Sequence, residues 1–134
     1  MRRLELGSSL TAMALAVALL VIACGETTSD TGIPPQDPQL VEAGARLYAA
    51  NCAECHGADL RGTDKGPSHL SIVYEPSHHP DEAFQLAVLR GSPAHHWDFG
   101  PMPPVPGLSP EEVEAIIAFV RERQRVEGFE SYPP

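Results

Sequence analysis

Lysine is almost absent from this chain of 134 residues, since Lys65 is the only one. Nine basic residues stand against eighteen acidic ones, and the formal net charge is −9 at pH 7. The phosphates of nucleic acids and the headgroups of anionic lipids repel such a chain. The composition therefore argues against a nucleic-acid-binding protein and against direct adhesion to anionic membranes. It favours partners with basic docking surfaces. The same excess of acidic residues would also be expected if the charge served only to keep the protein soluble.

Cysteine is scarce as well, because only Cys24, Cys52 and Cys55 occur. Cys52 and Cys55 are separated by two residues, which is the spacing of a thioredoxin-like redox pair or of half a zinc site. A thioredoxin fold would need strands alternating with helices around the pair, and the sequence predicts no convincing strand. A structural zinc site would usually need a second cysteine pair, and there is none. Both of these interpretations therefore lack support elsewhere in the chain.

The stretch Cys52-Ala53-Glu54-Cys55-His56 has the pattern of a c-type haem attachment site. Cysteines three residues apart put both thiols on one side of a single turn, where they can add across the two vinyl groups of haem. His56 follows directly and can coordinate the iron from below. The motif predicts one haem c, held covalently through Cys52 and Cys55. Its apolar ring would complete the core of a small domain that has no disulfide.

The N-terminus has an apolar run at residues 10–22, too short to span a bilayer as a mature helix. Arg2 and Arg3 precede it, as at the start of a signal peptide. The sequence Val21-Ile22-Ala23-Cys24 resembles the lipobox of bacterial lipoproteins, which implies cleavage before Cys24 and a lipid on that residue. An ordinary signal peptide cut near Ala23 would instead leave Cys24 as a spare thiol. Removal of residues 1–23 would change the net charge from −9 to −10, because two arginines and one glutamate are lost.

Residues 26–37 are rich in Thr, Ser, Asp and Pro and contain almost nothing apolar. They predict a disordered tether of about a dozen residues with a reach of roughly 20 Å. We therefore predict a signal peptide at 1–23, a lipidated cysteine with its tether at 24–37, and one folded domain at 38–134. The anchor would hold this domain in the cell envelope, on the outer side of the cytoplasmic membrane or in the periplasm.

Helical spacing of apolar residues predicts an all-α domain with about three main helices. Asp37 and Pro38 are typical of a helix start, and the first helix is expected to run to about Asn51. Gly44 lies on its apolar face, where it would permit another helix to approach closely or is simply a tolerated weak position. The second helix is predicted over 81–90, with a broad apolar surface that should lie against the cofactor or close beneath it. This surface consists of Phe84, Leu86, Ala87, Val88 and Leu89.

The last helix is predicted from a capping box, in which Ser109 caps the helix and Glu112 reaches back. Pro110 takes the first helical position and Gly128 ends the helix. The face expected to be buried consists of Val113, Ile116, Ile117 and Val120, which repeat at helical spacing.

Three motifs in this order resemble the class I c-type cytochromes: the haem motif, then Gly66-Pro67-Ser68, then Met102-Pro103-Pro104 before a capped helix. The resemblance covers about residues 38–127. It implies a cytochrome c-like fold in which the N- and C-terminal helices cross. It also implies that the Pro67 carbonyl accepts a hydrogen bond from His56 and so fixes the plane of the ring, although turn chemistry alone would explain this proline. The chain departs from the basic mitochondrial member of the family, because it has no ring of lysines.

Met102 is the only methionine that remains after removal of residues 1–23. Prolines on both sides lower the entropy lost when its sulfur is held in place. The resemblance implies that Met102 is the second axial ligand of the iron beside His56, a pairing that raises the reduction potential. A methionine packed in a proline-rich surface loop would also fit the pattern. His95 and His96 in the same loop are rival ligands.

Further residues are expected around the cofactor. The short apolar segment that ends at Tyr74 should line the pocket, and Trp97 or a nearby histidine could donate a hydrogen bond to a haem propionate. His78 and His79 form a second histidine pair beside His95 and His96. These four could form a copper or zinc site, although paired loop histidines are commonly just solvated.

Together these features predict a membrane-tethered monohaem c-type cytochrome that carries single electrons between redox partners in the cell envelope. It is expected to be a monomer and not an enzyme. Two alternatives remain open at this stage. One is a haem-based gas-binding or sensor protein with an open distal site. The other is a dedicated cytochrome subunit of an oxidase or dehydrogenase complex.

Overall fold

The computed structural model of the protein describes residues 30–131. The predicted signal peptide, the lipidation at Cys24 and the first part of the predicted tether lie outside these residues. Among the helices of the described part, none is long and apolar enough to cross a membrane.

The described residues form a helical domain, and the prediction of an all-α fold is confirmed. Three helices have ten residues or more, as expected, and two shorter ones were not predicted. Between residues 30 and 131 the only β-pairing consists of two isolated bridges, Ser71 with Glu130 and Ser92 with Met102. The helices are α1 (Pro38–Asn51), α2 (Ala53–His56), α3 (Asp81–Arg90) and α4 (Pro110–Glu127), with a 3₁₀ turn at Ile72–Tyr74.

The starts of α1 and α4 are set by local side chains, as the sequence predicts. The Asp37 carboxylate accepts hydrogen bonds from the backbone N–H groups of Gln39 and Leu40 at 2.8 and 3.1 Å. At the start of α4, the Ser109 hydroxyl accepts from the Glu112 N–H at 3.2 Å, and the Glu112 carboxylate accepts from the Ser109 N–H at 2.8 Å. Both caps satisfy donors that have no partner inside the helix.

Helices α1 and α4 cross at Gly44, which confirms the predicted crossing. A Cβ added to Gly44 would lie 1.9 Å from the backbone oxygen of Ala115, so only glycine allows this approach. The rings of Tyr48 and Phe119 lie 5.4 Å apart beside the crossing. The buried core is built on this contact and consists of Tyr48, Leu60, Leu70, Ile116 and Val120.

Helix α3 buries less of its apolar surface than predicted. The side of Phe84, Leu86, Ala87 and Val88 lines the central cavity. The neighbouring Leu89 is 69% exposed, so the prediction was wrong for this residue. A run of adjacent apolar residues winds around a helix of 3.6 residues per turn, and its members cannot all face one side. Leu86, three positions before Leu89 and on the same side of the helix, is also 48% exposed.

Both ends of the described chain contact the helical domain. Ile33, within the predicted tether, is 8% exposed, and the Gln36 N–H donates to the Glu122 carboxylate of α4 at 3.2 Å. After α4 the chain turns back, and Glu130 exchanges backbone hydrogen bonds with the segment at 70–72, at 2.7 and 2.8 Å. The C-terminal end of the predicted tether is therefore packed on the domain.

Candidate cofactor site

A cavity of about 440 Å³ lies between the α1–α2 junction, α3, the loop at 91–105 and α4. Its wall is mostly aliphatic and aromatic, with few polar groups, as is usual for cofactor pockets. The structure brings all seven predicted cofactor-binding residues to this one wall, and His79, His95 and His96 also reach it. The seven are Cys52, Cys55, His56, Pro67, Tyr74, Trp97 and Met102.

The two thiols are positioned by the single turn of α2. The backbone N–H groups of Cys55 and His56 both donate to the carbonyl of Cys52, at 3.1 and 3.0 Å, and wind the motif tightly. Both cysteines are half-buried and are free of disulfides. Burial, with a smaller contribution from Cys55, raises the pKa of Cys52 to about 11, so this group is a neutral thiol at physiological pH.

His56 is buried, and its orientation is set by the loop behind it. Its Nδ1 lies 2.9 Å from the carbonyl oxygen of Pro67. If Nδ1–H donates to this carbonyl, the lone pair of the ring lies on Nε2, the form of imidazole that binds a metal. Burial lowers the pKa of His56, while the bond to Pro67 acts in the opposite direction, so the ring is held neutral. The loop fits closely, because a Cβ on Gly66 would lie 3.0 Å from the Cys55 carbonyl oxygen.

His69 is a buried neighbour of this site that the sequence did not single out. Its ring stacks on His56 with centroids 4.1 Å apart and an angle of 19°. Its Nδ1 lies 3.2 Å from the hydroxyl of Tyr48. Burial and, to a smaller extent, the charges of His56 and Arg121 hold the pKa of His69 well below its usual range. The only signal in the sequence is its place between Pro67 and the apolar Leu70.

Arg121 was also missed, and it organises one end of the cavity. Its side chain is 3% exposed and pairs with Asp81 at 2.7 Å. The guanidinium also donates to the backbone oxygens of Tyr74 and His79, at 2.7 and 2.5 Å, and to the Gln124 side chain at 2.8 Å. The planar fork of arginine suits such a set of acceptors. In the sequence Arg121 begins a charged run and is indistinguishable from a solvated surface residue.

The backbone around Met102 is fixed against the end of α3. Met102 and Ser92 exchange two backbone hydrogen bonds, at 2.8 and 3.0 Å, and the Val105 N–H donates to the carbonyl of Val88 at 2.8 Å. Gly91 has a positive φ of 76°, and a Cβ there would lie 2.5 Å from the Met102 carbonyl oxygen. The loop therefore holds Met102 at the cavity in a defined position.

The rival ligands His95 and His96 reach the same cavity from within a group of histidines. The ring of His96 lies 4.3 Å from that of His95 and 5.1 Å from that of His78. The Nδ1 of His95 lies 2.8 Å from the carbonyl of Pro93. Burial, with smaller contributions from the neighbouring histidines, lowers the pKa of His96.

Trp97 stacks on Tyr74, with ring centroids 5.8 Å apart and an angle of 14°.

The donor set of the cavity fits a covalently attached haem. Two free thiols and a neutral imidazole come from one turn, and a thioether comes from a separate, fixed loop. The remaining wall is apolar, as a haem ring requires. Zinc or thiol–disulfide chemistry would not need the large apolar volume beside the motif.

Comparison with known proteins agrees with this fit. The protein-family model described as "Cytochrome c" matches residues 41–124. The cbb3-type cytochrome c oxidase subunit FixP of Rhizobium meliloti is 32% identical over 88 residues, which are 64% of this chain and 28% of that protein. A quinohemoprotein alcohol dehydrogenase of Comamonas testosteroni is 36% identical over 90 residues, which are 63% of this chain and 11% of that protein.

Among solved structures, the c-type cytochrome XoxG of Methylobacterium extorquens AM1 is similar, with a TM-score of 0.49 and 20% identity. That comparison covers 71% of this chain and 56% of the other. The chain spans less than a third of the length of either curated relative named above, at 28% and 11%.

Proposed function

The chain belongs to the cytochrome c family, which carries covalent haem c, and from this premise we propose that it is a monohaem electron carrier tethered to a membrane of the cell envelope. When bound, haem c supplies a one-electron iron couple. The proposal depends above all on one observation: Cys52, Cys55, His56 and Met102 all line a single apolar cavity. This set would provide covalent attachment for a haem and one iron ligand from each of two separate segments.

Each residue has a distinct role in this proposal. Cys52 and Cys55 would hold the haem through thioether bonds, and His56 would bind the iron through Nε2. Pro67 holds the imidazole in one orientation through the 2.9 Å contact with Nδ1. Met102 would supply the second ligand from its fixed loop. Two protein ligands would keep the iron site similar in both oxidation states, which favours fast electron transfer, and would leave no position open for a gas.

Tyr74 and Trp97 form an aromatic wall of the same cavity and are proposed to contact the haem. Their stacked rings exclude water from that side of the ring system. The pKa of Tyr74 is raised to about 12 by burial, so its hydroxyl stays neutral and adds no charge to the site. The indole N–H of Trp97 is a candidate donor to a haem propionate.

The spectrum of the reduced protein tests the proposal. We expect the sharp bands of a low-spin c-type haem and little change within minutes of adding carbon monoxide, because both axial positions are filled by the protein. A gas sensor with an open or displaceable distal site would bind carbon monoxide rapidly. High-spin bands or fast carbon monoxide binding would contradict the electron-carrier proposal and support the sensor.

The tether is tested in a bacterial host that processes lipoproteins, with a variant in which an ordinary cleavable export signal replaces residues 1–24. We expect wild-type protein in the membrane fraction and the variant in the soluble envelope fraction, because lipid on Cys24 is the proposed anchor. Mass spectrometry of the mature wild type should show haem and lipid together, and the variant should show haem without lipid. Equal membrane association of both forms would contradict the anchor. The haem spectrum should be unchanged, since haem attachment depends on the other two cysteines.

A dedicated subunit of an oxidase or dehydrogenase complex is the second candidate. It is supported by the similarity to FixP, which is named as a subunit of a cbb3-type oxidase. The two candidates share the haem site and differ in the partner. Purification from its native membrane under mild conditions separates them, because a subunit would co-purify in fixed ratio with a larger assembly. A free carrier should elute alone. Its acidic composition, with a net charge of −9 for the full chain and −10 after removal of residues 1–23, should favour basic partners.

A further inference from the structure

Three histidine side chains from two separate segments meet beside the cofactor cavity. His78 and His79 precede α3, and His96 lies in the loop that follows it. One ligand nitrogen from each of the three lies within 4.8 Å of the others. His78 is exposed, while His79 and His96 are partly buried. The sequence indicated a possible metal site formed by four loop histidines, and the structure brings three of them close together.

The spacing of two of these nitrogens is compatible with a shared metal ion. The Nε2 atoms of His78 and His96 lie 3.3 Å apart. Hydrogen bonds between protein groups usually span about 2.7–3.2 Å. Two imidazoles bound tetrahedrally to zinc at about 2.0–2.1 Å have their nitrogens about 3.3–3.4 Å apart. The observed separation of this pair is therefore close to one edge of a zinc coordination tetrahedron, and the third nitrogen lies within 4.8 Å of both.

His79 is oriented in the way that metal-bound histidines usually are. Its Nδ1 lies 2.6 Å from the carbonyl oxygen of Val73, so donation from Nδ1–H leaves Nε2 as the atom for a metal. The backbone of His79 is held by the Arg121 guanidinium at 2.5 Å. The positive charge of Arg121 is offset by its ion pair with Asp81 at 2.7 Å, so it opposes a bound cation only weakly.

We propose that His78, His79 and His96 form a binding site for one divalent metal ion of the zinc class, separate from the haem iron. Three imidazoles suit zinc and its neighbours among the transition metals, whereas calcium and magnesium require oxygen ligands. The acidic chain attracts cations to its surface. The fourth position of the ion is open to water or to a group from a partner. The site shares no ligand with the electron-carrier proposal, in which His56 and Met102 hold the iron, whereas ligation of the iron by the rival His96 would remove one of the three zinc ligands.

Zinc binding to the full-length haem-loaded protein tests the site, with any polyhistidine tag removed. After treatment with a chelator, the protein is dialysed against zinc chloride, and zinc and iron are counted by elemental mass spectrometry. We expect one zinc per iron. X-ray absorption at the zinc edge, which the haem iron does not disturb, should show three imidazole nitrogens at about 2.0–2.1 Å. Less than half a zinc per iron at saturation, or a shell without imidazole, would overturn the proposal.

Two matched variants make the test specific to these residues. His78→Ala removes an exposed ligand and should preserve the fold and the haem spectrum. We expect it to weaken zinc binding by more than about tenfold, since even loss of a partner behind a ligand costs about 10–100-fold. His95→Ala removes the neighbouring histidine outside the group of three and should change the affinity by less than about twofold. Equal effects of the two variants, or none from His78→Ala, would overturn the assignment.

Discussion

The variant Met102→Ala is expected to lower the reduction potential of the protein by on the order of a few tenths of a volt, within the roughly 0.8 V that axial ligands span. A thioether beside an imidazole raises the potential of haem iron, and alanine is too short to replace it. The backbone bonds of Met102 to Ser92, at 2.8 and 3.0 Å, do not involve the side chain and should persist in the variant. The change should therefore be confined to the ligand.

Redox titration and near-infrared spectroscopy of the oxidised protein measure this effect. The sulfur–iron charge-transfer band should disappear, and the reduced variant should now bind carbon monoxide. Leu89→Ala is a suitable control, because it also truncates an apolar side chain but at a position 69% exposed and away from the cavity. If the charge-transfer band and the reduction potential of Met102→Ala both stayed at their wild-type values, His95 or His96 would be the better candidate for the iron ligand.

Gly44→Ala is expected to destabilise the protein by about 3 kcal/mol, the upper end of the usual cost of overpacking. In most helices this replacement stabilises by up to about 1 kcal/mol, because glycine is a poor helix former. Here the added methyl group would lie 1.9 Å from the backbone oxygen of Ala115 and 2.9 Å from the Cβ of Phe119. A backbone atom cannot rotate away, so α1 and α4 must move apart and loosen the core between them.

Denaturant unfolding of the haem-loaded protein tests this prediction, and the thermal midpoint should fall by more than about 10 °C. Ala49→Gly is the control on the exposed side of the same helix, where a loss of about 1 kcal/mol measures the preference of α1 for alanine. If Gly44→Ala stabilised the protein by that amount, the close crossing of α1 and α4 would be refuted. The sign of the change, and not only its size, distinguishes the two outcomes.

Features encoded in short stretches of sequence could be predicted well. The caps at Asp37 and Ser109 depend on contacts within three residues, and the helices begin where these side chains predict. The haem motif lies within a single turn. Gly44 was informative because glycine is a poor helix former, so its place on an apolar face indicated a close contact. The crossing itself, however, came from the resemblance and not from the helical pattern.

Features that depend on distant contacts could not be predicted in this way. Arg121 looks like the start of a charged surface run, yet its bonds reach residues 40 to 47 positions away in the chain. His69 was indistinguishable from a loop residue until the structure stacked it on His56. For the loop histidines, only the structure selects three of the four, because His78 and His96 are brought together across α3.

The bonds of Arg121 have a thermodynamic consequence that concerns both sites. One guanidinium holds the backbone of Tyr74 in the cofactor cavity and that of His79 in the histidine group. A metal ion at the three histidines and the extra charge of a reduced haem would therefore both act on backbone that Arg121 holds. Each charge would also feel the electric field of the other. Thermodynamic linkage requires that the two effects be reciprocal. If zinc changes the ratio of oxidised to reduced protein by a given factor, reduction changes the affinity for zinc by the same factor. A single titration of zinc at two electrode potentials therefore measures the coupling from either side.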